Sequence, residues 1–148
     1  MKIALGSDHR GVEAARALME YFRGNGHDPF ILGDTSGKPS DYPDSAYLVG
    51  EAVASGQADL GMLICGSGIG MSMAANKVRG IRAAMCYDLT TARSSREHND
   101  ANVLTLGGKI LEPSLAAEIV ALWLTTDFAG GRHWPRVNKI MALERGKR

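Results

Sequence analysis

One stretch of the sequence places a thiol, a run of glycines and the start of a predicted helix in immediate succession. It spans residues 60–77 and reads LGMLICGSGIGMSMAANK. Leu60–Cys65 is short and mostly apolar, which predicts a buried strand, and the residues from Met71 to Lys77 favour a helix. The glycines between them leave backbone N–H groups open, and such groups at the start of a helix hold anions. The pattern predicts a site for an anion, or for an oxygen that becomes negative during a reaction.

Cys65 stands where the predicted strand meets the glycines. Near a helix N-terminus the thiolate form of a cysteine is favoured, so Cys65 could act as a base or a nucleophile. A lone cysteine at the end of a buried strand is also commonly a small core residue, and the sequence leaves this interpretation open. Met71 occupies the position where a dinucleotide-binding fingerprint needs Gly or Ala and where a phosphatase loop needs Arg, so the stretch matches neither motif.

Two further pairs of polar residues could take part in binding. Asp8 and His9 directly follow a predicted strand, where the alternative is an aspartate that only caps the next helix. Arg132 and Arg136 stand four residues apart, so on a helix they share a face and could hold a phosphate. A solvated basic face is the alternative for this second pair.

Predicted strands and helices alternate along the chain with short connections. The predicted strands are Lys2–Gly6, Pro29–Leu32, Leu60–Cys65, Ile81–Met85 and Asn102–Leu106. The predicted helices are Val12–Arg23, Ser45–Ser55, Met71–Lys77, Asp88–Glu97, Pro113–Leu124 and Arg132–Arg145. This alternation predicts a parallel sheet with helices on both faces, whose ligands bind beyond the carboxyl ends of the strands. The turns after the first and third strands should therefore lie side by side.

His98 and Asn99 occupy a different position in this sheet. They end a predicted helix just before the fifth strand, at the edge of the sheet opposite to Cys65. We therefore expect that His98 does not reach Cys65 of its own chain. The alternative role is a histidine that the helix dipole stabilises.

The length, net charge and cysteine count of the chain limit the classes of protein to which it can belong. The chain has 148 residues, which suits one domain, and a net charge of +1, which argues against nucleic acid or an anionic membrane as partner. Its two cysteines make no disulfide framework, so we expect a reducing cytoplasm. Asp8 and His9 follow the N-terminal apolar stretch too soon for a signal peptide, and the sequence has no zinc-ligand spacing.

Six segments, in order along nearly the whole chain, resemble the ribose-5-phosphate isomerase B family, which includes galactose-6-phosphate and allose-6-phosphate isomerases. They are GSDHRG at 6–11, DYPD at 41–44, ICGSGIGMSMAANK at 64–77, GIRAAMC at 80–86, EHNDANVL at 97–104 and GGRHWPRV at 130–137. The resemblance implies a three-layer α/β/α sandwich around a five-stranded parallel, Rossmann-like sheet, as one domain over residues 1–148. It also implies a homodimer, or a dimer of dimers, with sites shared between chains and with no metal or cofactor.

The resemblance also implies a role for individual residues. Cys65 would be the base, His98 would open the sugar ring and Ser67 would pass a proton between the substrate oxygens. Two positions depart from the family: Ser67 stands where relatives often have Thr, and Lys109 where they often have Arg. Lys keeps the charge but loses the bidentate fork. The remaining substrate-binding residues would be Asp8, His9, Tyr42, Gly66, Gly68, Ile69, Gly70, Asn99, Lys109, Arg132 and Arg136, the last two from the C-terminal helix.

The implied function is the interconversion of ribose 5-phosphate and ribulose 5-phosphate, a reaction of the pentose phosphate pathway. The sequence leaves two other functions open. The substrate could be another sugar phosphate, such as allose 6-phosphate, galactose 6-phosphate or a tetrulose phosphate. The chain could also be a subunit that only binds a sugar phosphate, although such a protein needs no base like Cys65.

Overall fold

Five parallel strands form one sheet in the computed structural model, which describes residues 1–146. The strands are β1 (Lys2–Ser7), β2 (Asp28–Leu32), β3 (Leu60–Cys65), β4 (Ala83–Met85) and β5 (Val103–Gly107), in the order β2-β1-β3-β5-β4. The predicted five-stranded parallel sheet is confirmed. β4 is shorter than predicted because the Arg82 N–H donates to the side-chain oxygen of Asn102, at 2.8 Å, instead of to a neighbouring strand.

Helices cover both faces of the sheet, which confirms the three layers. They are α1 (Val12–Gly24), α2 (Tyr42–Ala54), α3 (Ile69–Ala75), α4 (Leu89–Glu97), α5 (Pro113–Thr125) and α6 (Trp134–Leu143), with a short 3₁₀ helix at Gly131–His133. Buried side chains of α1, α4 and α5 form one apolar cluster with the sheet, and those of α2 and α3 form another. No helix within residues 1–146 is long and apolar enough to cross a membrane.

β3 lies at the centre of the sheet and is buried along its whole length. Because successive side chains of a strand point to opposite faces, Met62 and Ile64 join the cluster of α1 and α5. Leu63 and Cys65 join the cluster of α2 and α3. The thiol of Cys65 therefore faces the layer that contains α3, directly below the glycine turn.

Apart from the start of α6, two helix starts were predicted differently from what the structure has. α2 begins at Tyr42 and not at Ser45, with Pro43 in its first turn, where the missing N–H is not needed. α3 begins at Ile69, so Gly70 lies inside a helix and not in the turn. The start of α4 was predicted correctly, since the Asp88 side chain accepts a hydrogen bond from the Thr91 N–H at 2.7 Å.

Candidate active site

The glycine turn folds back over the sulfur of Cys65. The Gly68 N–H lies 3.2 Å from Sγ and donates to it, and the cysteine is 5% exposed. Gly68 has φ +80°, and a Cβ there would lie 2.9 Å from the carbonyl carbon of Leu106. Both the conformation and the space therefore require glycine. Since α3 has only seven residues, the N–H groups of the turn would contribute more to binding an anion than a helix dipole would.

Hydrogen bonds between neighbouring turns hold this edge of the sheet together. The Gly108 N–H donates to the carbonyl of Cys65 at 2.8 Å, and the Lys109 N–H donates to that of Gly66 at 3.1 Å. On the other side of β3, the Asp8 N–H donates to the carbonyl of Ile64 at 3.2 Å. The turns after β1, β3 and β5 thus lie side by side, as the sequence predicted for the first two.

Asp8 and His9 are both fixed by backbone donors. The buried carboxylate of Asp8 accepts from the N–H groups of Arg10 at 2.9 Å and Gly11 at 3.1 Å, both through Oδ1. Oδ2 has no protein donor within residues 1–146, so it is free to bind a hydroxyl. Nδ1 of His9 accepts from the Ser40 N–H at 3.3 Å, which leaves Nε2–H of a neutral imidazole to donate to a ligand.

The remaining predicted residues of this edge surround the glycine turn. The ring of Tyr42 packs against Gly70, where a Cβ would lie 2.5 Å from the phenol carbon Cζ. Ser67 is half-buried, and its hydroxyl accepts from the Ile69 N–H at 3.3 Å. We call this collection the carboxyl-edge group: Asp8, His9, Tyr42, Cys65, Gly66, Ser67, Gly68, Ile69, Gly70 and Lys109.

The second group of predicted residues lies at the opposite edge, where α4 ends. Three bonds from Arg82 hold the turn that follows His98: Nε donates to the carbonyls of Asn99 at 3.2 Å and Asp100 at 2.8 Å, and Nη2 pairs with the carboxylate of Asp100 at 2.9 Å. Asp100 has φ +47°, the left-handed conformation, which aspartate adopts more readily than most residues. The turn that carries Asn99 is therefore held in one conformation.

His133 belongs to this second group, although the sequence pattern alone does not identify it as a site residue. Its ring stacks on that of His98, with centroids 4.4 Å apart and planes 12° apart. Burial, and then the charges of His98, Arg132 and Arg136, hold the pKa of His133 below its usual value. Its position inside the GGRHWPRV segment, between the two predicted phosphate ligands, was the signal that could have identified it.

The predicted helix from Arg132 to Arg145 is wrong at both ends. Gly130 and Gly131 have positive φ, so Arg132 lies in the 3₁₀ helix, and α6 begins only at Trp134, with a proline in its first turn. Arg132 and Arg136 therefore do not share one α-helical face. Arg132 and Arg136 are nevertheless exposed and both close enough to lower the pKa of His133. We call His98, Asn99, Arg132, His133 and Arg136 the amino-edge group.

Within one chain the two groups lie at opposite edges of the sheet. His98 precedes β5 and Lys109 follows it, and a strand of five residues spans about 16 Å. Groups that act together on one small substrate must each come within about 3 Å of it, directly or through one water. One chain therefore does not bring both groups to one such molecule. Among residues 1–146, no group of three or more His, Cys, Asp or Glu is placed to hold a metal ion.

Comparison with known proteins shows the family. A family model described as Ribose/Galactose Isomerase matches residues 3–140. The chain belongs to this family. Ribose-5-phosphate isomerase B of Escherichia coli is 43% identical over 97% of the chain and 96% of its own length. D-erythrulose-4-phosphate isomerase of Pectobacterium atrosepticum is 39% identical over 95% of the chain and 93% of its own length.

A solved structure agrees with this assignment. Ribose-5-phosphate isomerase B of Clostridium thermocellum superimposes with a TM-score of 0.97 at 47% identity, over 99% of both chains. The chain therefore belongs to a family of sugar phosphate isomerases.

Proposed function

We propose that the protein interconverts ribose 5-phosphate and ribulose 5-phosphate through an enediolate, with Cys65 as the base. The observation that carries this proposal is the Gly68 N–H directed at Sγ of Cys65, at the mouth of a turn lined with further N–H groups. A thiolate is the reactive form of cysteine, and an N–H group aimed at sulfur suits it. The similarity to ribose-5-phosphate isomerase B proteins supports this choice of sugar.

The proposed reaction moves one proton between two carbons. Cys65 takes the proton from C2 of the open-chain aldose, and the electron pair moves onto the aldehyde oxygen at C1. The N–H groups of the turn stabilise this oxyanion, a contribution of about 3 kcal/mol per donor in other enzymes. The Ser67 hydroxyl passes a proton from O2 to O1, and Cys65 returns its own proton to C1, which gives the ketose.

Ribose 5-phosphate reaches the enzyme mainly as a furanose, so the ring must open first. We assign this step to His98, which donates a proton to the ring oxygen while a water molecule takes the proton of the C1 hydroxyl and returns a proton to His98. Asp8 and Asn99 would bind sugar hydroxyls through the free Oδ2 and the amide. His9, Lys109, Arg132 and Arg136 would bind the phosphate, which orients the reacting carbons.

These assignments place the amino-edge group of one chain over the carboxyl-edge group of its partner in a homodimer. An isologous interface makes two such sites at once, because each chain gives one group and receives the other. Exposed apolar side chains near both groups support an interface there. Ile69 and Met73 of α3 are 47% and 63% exposed, and Trp134 and Leu143 of α6 are 50% and 63% exposed.

A second candidate keeps the chemistry and changes the sugar. The 39% identity with D-erythrulose-4-phosphate isomerase favours a four-carbon sugar phosphate as this second substrate. A tetrose 4-phosphate forms no furanose, because the oxygen that would close the ring bears the phosphate. Such a substrate would need no ring opening by His98, so the two candidates differ in their dependence on that residue.

A panel of aldose phosphates with four, five and six carbons tests the function, with the Cys65→Ala variant assayed beside it. We expect the highest kcat/KM on ribose 5-phosphate, and a loss of kcat of about a hundredfold or more in Cys65→Ala with little change in affinity for substrate. Cys86→Ala is the matched control, because Cys86 is equally buried but lies in the other apolar cluster. A loss below about tenfold in Cys65→Ala would show that Cys65 is a core residue and not the base.

A further inference from the structure

Arg10 is a charged residue at the carboxyl edge that has no role in the proposed reaction. Its exposed side chain reaches towards Gly66: Nη1 lies 3.7 Å, and Cδ 3.9 Å, from the position that a Cβ of Gly66 would occupy. Cδ of Lys109 lies 3.8 Å from the same point. Two cationic side chains of one chain therefore approach the first glycine of the turn, next to Cys65.

Neither cation is neutralised by the protein. Within residues 1–146, the side chains of Arg10 and Lys109 make no ion pair and no hydrogen bond. By contrast, Arg16 and Arg23 of the following helix pair with glutamates at 3.2 Å and 3.0 Å. Two like charges on neighbouring side chains repel each other when no counter-ion is present, and an anion bound between them offsets that repulsion.

The turn that carries Arg10 is also rigid. Its backbone N–H donates to the buried carboxylate of Asp8 at 2.9 Å, and the Asp8 N–H is in turn bonded to β3 at 3.2 Å. The base of the Arg10 side chain is thus fixed relative to the glycine turn. Its guanidinium needs only side-chain rotation to meet a ligand that sits over Gly66.

We infer that Arg10 binds the phosphate group of the substrate together with Lys109, and this inference rests on the proposed function. An ammonium group offers a point charge, whereas a guanidinium offers two parallel N–H donors that match two phosphate oxygens. Arg10 supplies the fork that Lys109 lacks. His9, Arg10 and Lys109 of one chain then bind the phosphate on the Cys65 side of the site. The amino-edge group of a partner adds its own phosphate contacts to these.

The test measures phosphate binding separately from turnover. Titration calorimetry with inorganic phosphate, and steady-state kinetics with ribose 5-phosphate, are carried out on the full chain and on Arg10→Ala, Arg10→Lys and Arg23→Ala. We expect Arg10→Ala to weaken phosphate binding and to raise KM by about tenfold, with a smaller fall in kcat, and Arg10→Lys to recover part of the loss. Arg23→Ala removes the same charge about 17 Å away along α1 and should change neither quantity.

Three results would overturn the inference. Unchanged phosphate affinity together with unchanged kcat in Arg10→Ala, or no phosphate binding by the unaltered protein, would show that Arg10 is only a solvated surface residue. A fall in kcat with unchanged phosphate affinity would instead place Arg10 at the reacting oxygens. If the unaltered protein isomerises no sugar phosphate, the proposed function fails, while the calorimetric comparison still decides whether Arg10 binds phosphate.

Discussion

At the scale of single residues, the surroundings of a side chain decide which chemistry it offers. His133 is 8% exposed, stacks on His98 and lies near two arginines. Burial and these neighbouring charges disfavour its protonated form and so lower its pKa. The neutral form of His133 is therefore favoured, and its ring packs against that of the more exposed His98.

The lowered pKa of His133 predicts a pH dependence of folding. In the unfolded chain His133 titrates near its usual pKa of about 6.5, so below that pH the unfolded state binds more protons than the folded state. The free energy of unfolding is therefore at its full value above about pH 6.5, where His133 is neutral in both states. It decreases as the pH falls from there through the lower pKa of the folded state. Replacing His133 by Phe keeps an aromatic ring for stacking but removes the titrating group.

Urea unfolding of the wild type and His133→Phe at pH values from about 5 to 8 checks this prediction. The free energy of unfolding of the wild type should fall towards the acidic end, and that of His133→Phe should fall less. Equal slopes for the two proteins would contradict the assignment. The sequence alone did not predict this behaviour, because the stacking of two histidines 35 positions apart depends on how α4 and the 3₁₀ helix meet.

At the scale of elements, the strand, glycine turn and helix around Cys65 could be predicted from the sequence almost residue by residue. Leu60–Cys65 has the predicted bounds because its apolar run is buried on both faces. The exact start of α3 was not predictable, since Gly68 and Gly70 look alike in the sequence. Only packing distinguishes them: Gly68 approaches β5, and Gly70 supports the ring of Tyr42.

Two glycine substitutions separate the structural from the chemical requirements of this turn. Gly68→Ala introduces a Cβ at φ +80° and 2.9 Å from backbone, so we expect a loss of at least about 1–2 kcal/mol of stability and a displaced turn. Gly66→Ala is the matched control, because its nearest neighbour is a side-chain nitrogen at 3.7 Å. Thermal unfolding of both variants measures the difference, and equal stability would show that the turn tolerates a side chain at Gly68.

At the scale of the whole molecule, the order of elements predicts where each functional group lies. Alternating strands and helices place the residue after a strand at one edge of the sheet and the residue after a helix at the other. The sequence therefore predicted that His98 lies far from Cys65 of its own chain, and the topology agrees. What it could not predict is the end of the chain, where two glycines with positive φ redirect Arg132 before α6 begins.

Complementation between inactive variants tests most directly whether two chains complete each site. Cys65→Ala and His98→Ala are prepared separately, shown to be inactive on furanose ribose 5-phosphate, then dissociated, mixed in equal amounts and re-annealed. In a mixed dimer one site carries both defects and the other carries none. Random pairing makes half of the dimers mixed, so we expect about a quarter of the wild-type activity. Mixed dimers that form but stay inactive would show that His98 acts within its own chain, which would contradict a site shared between chains.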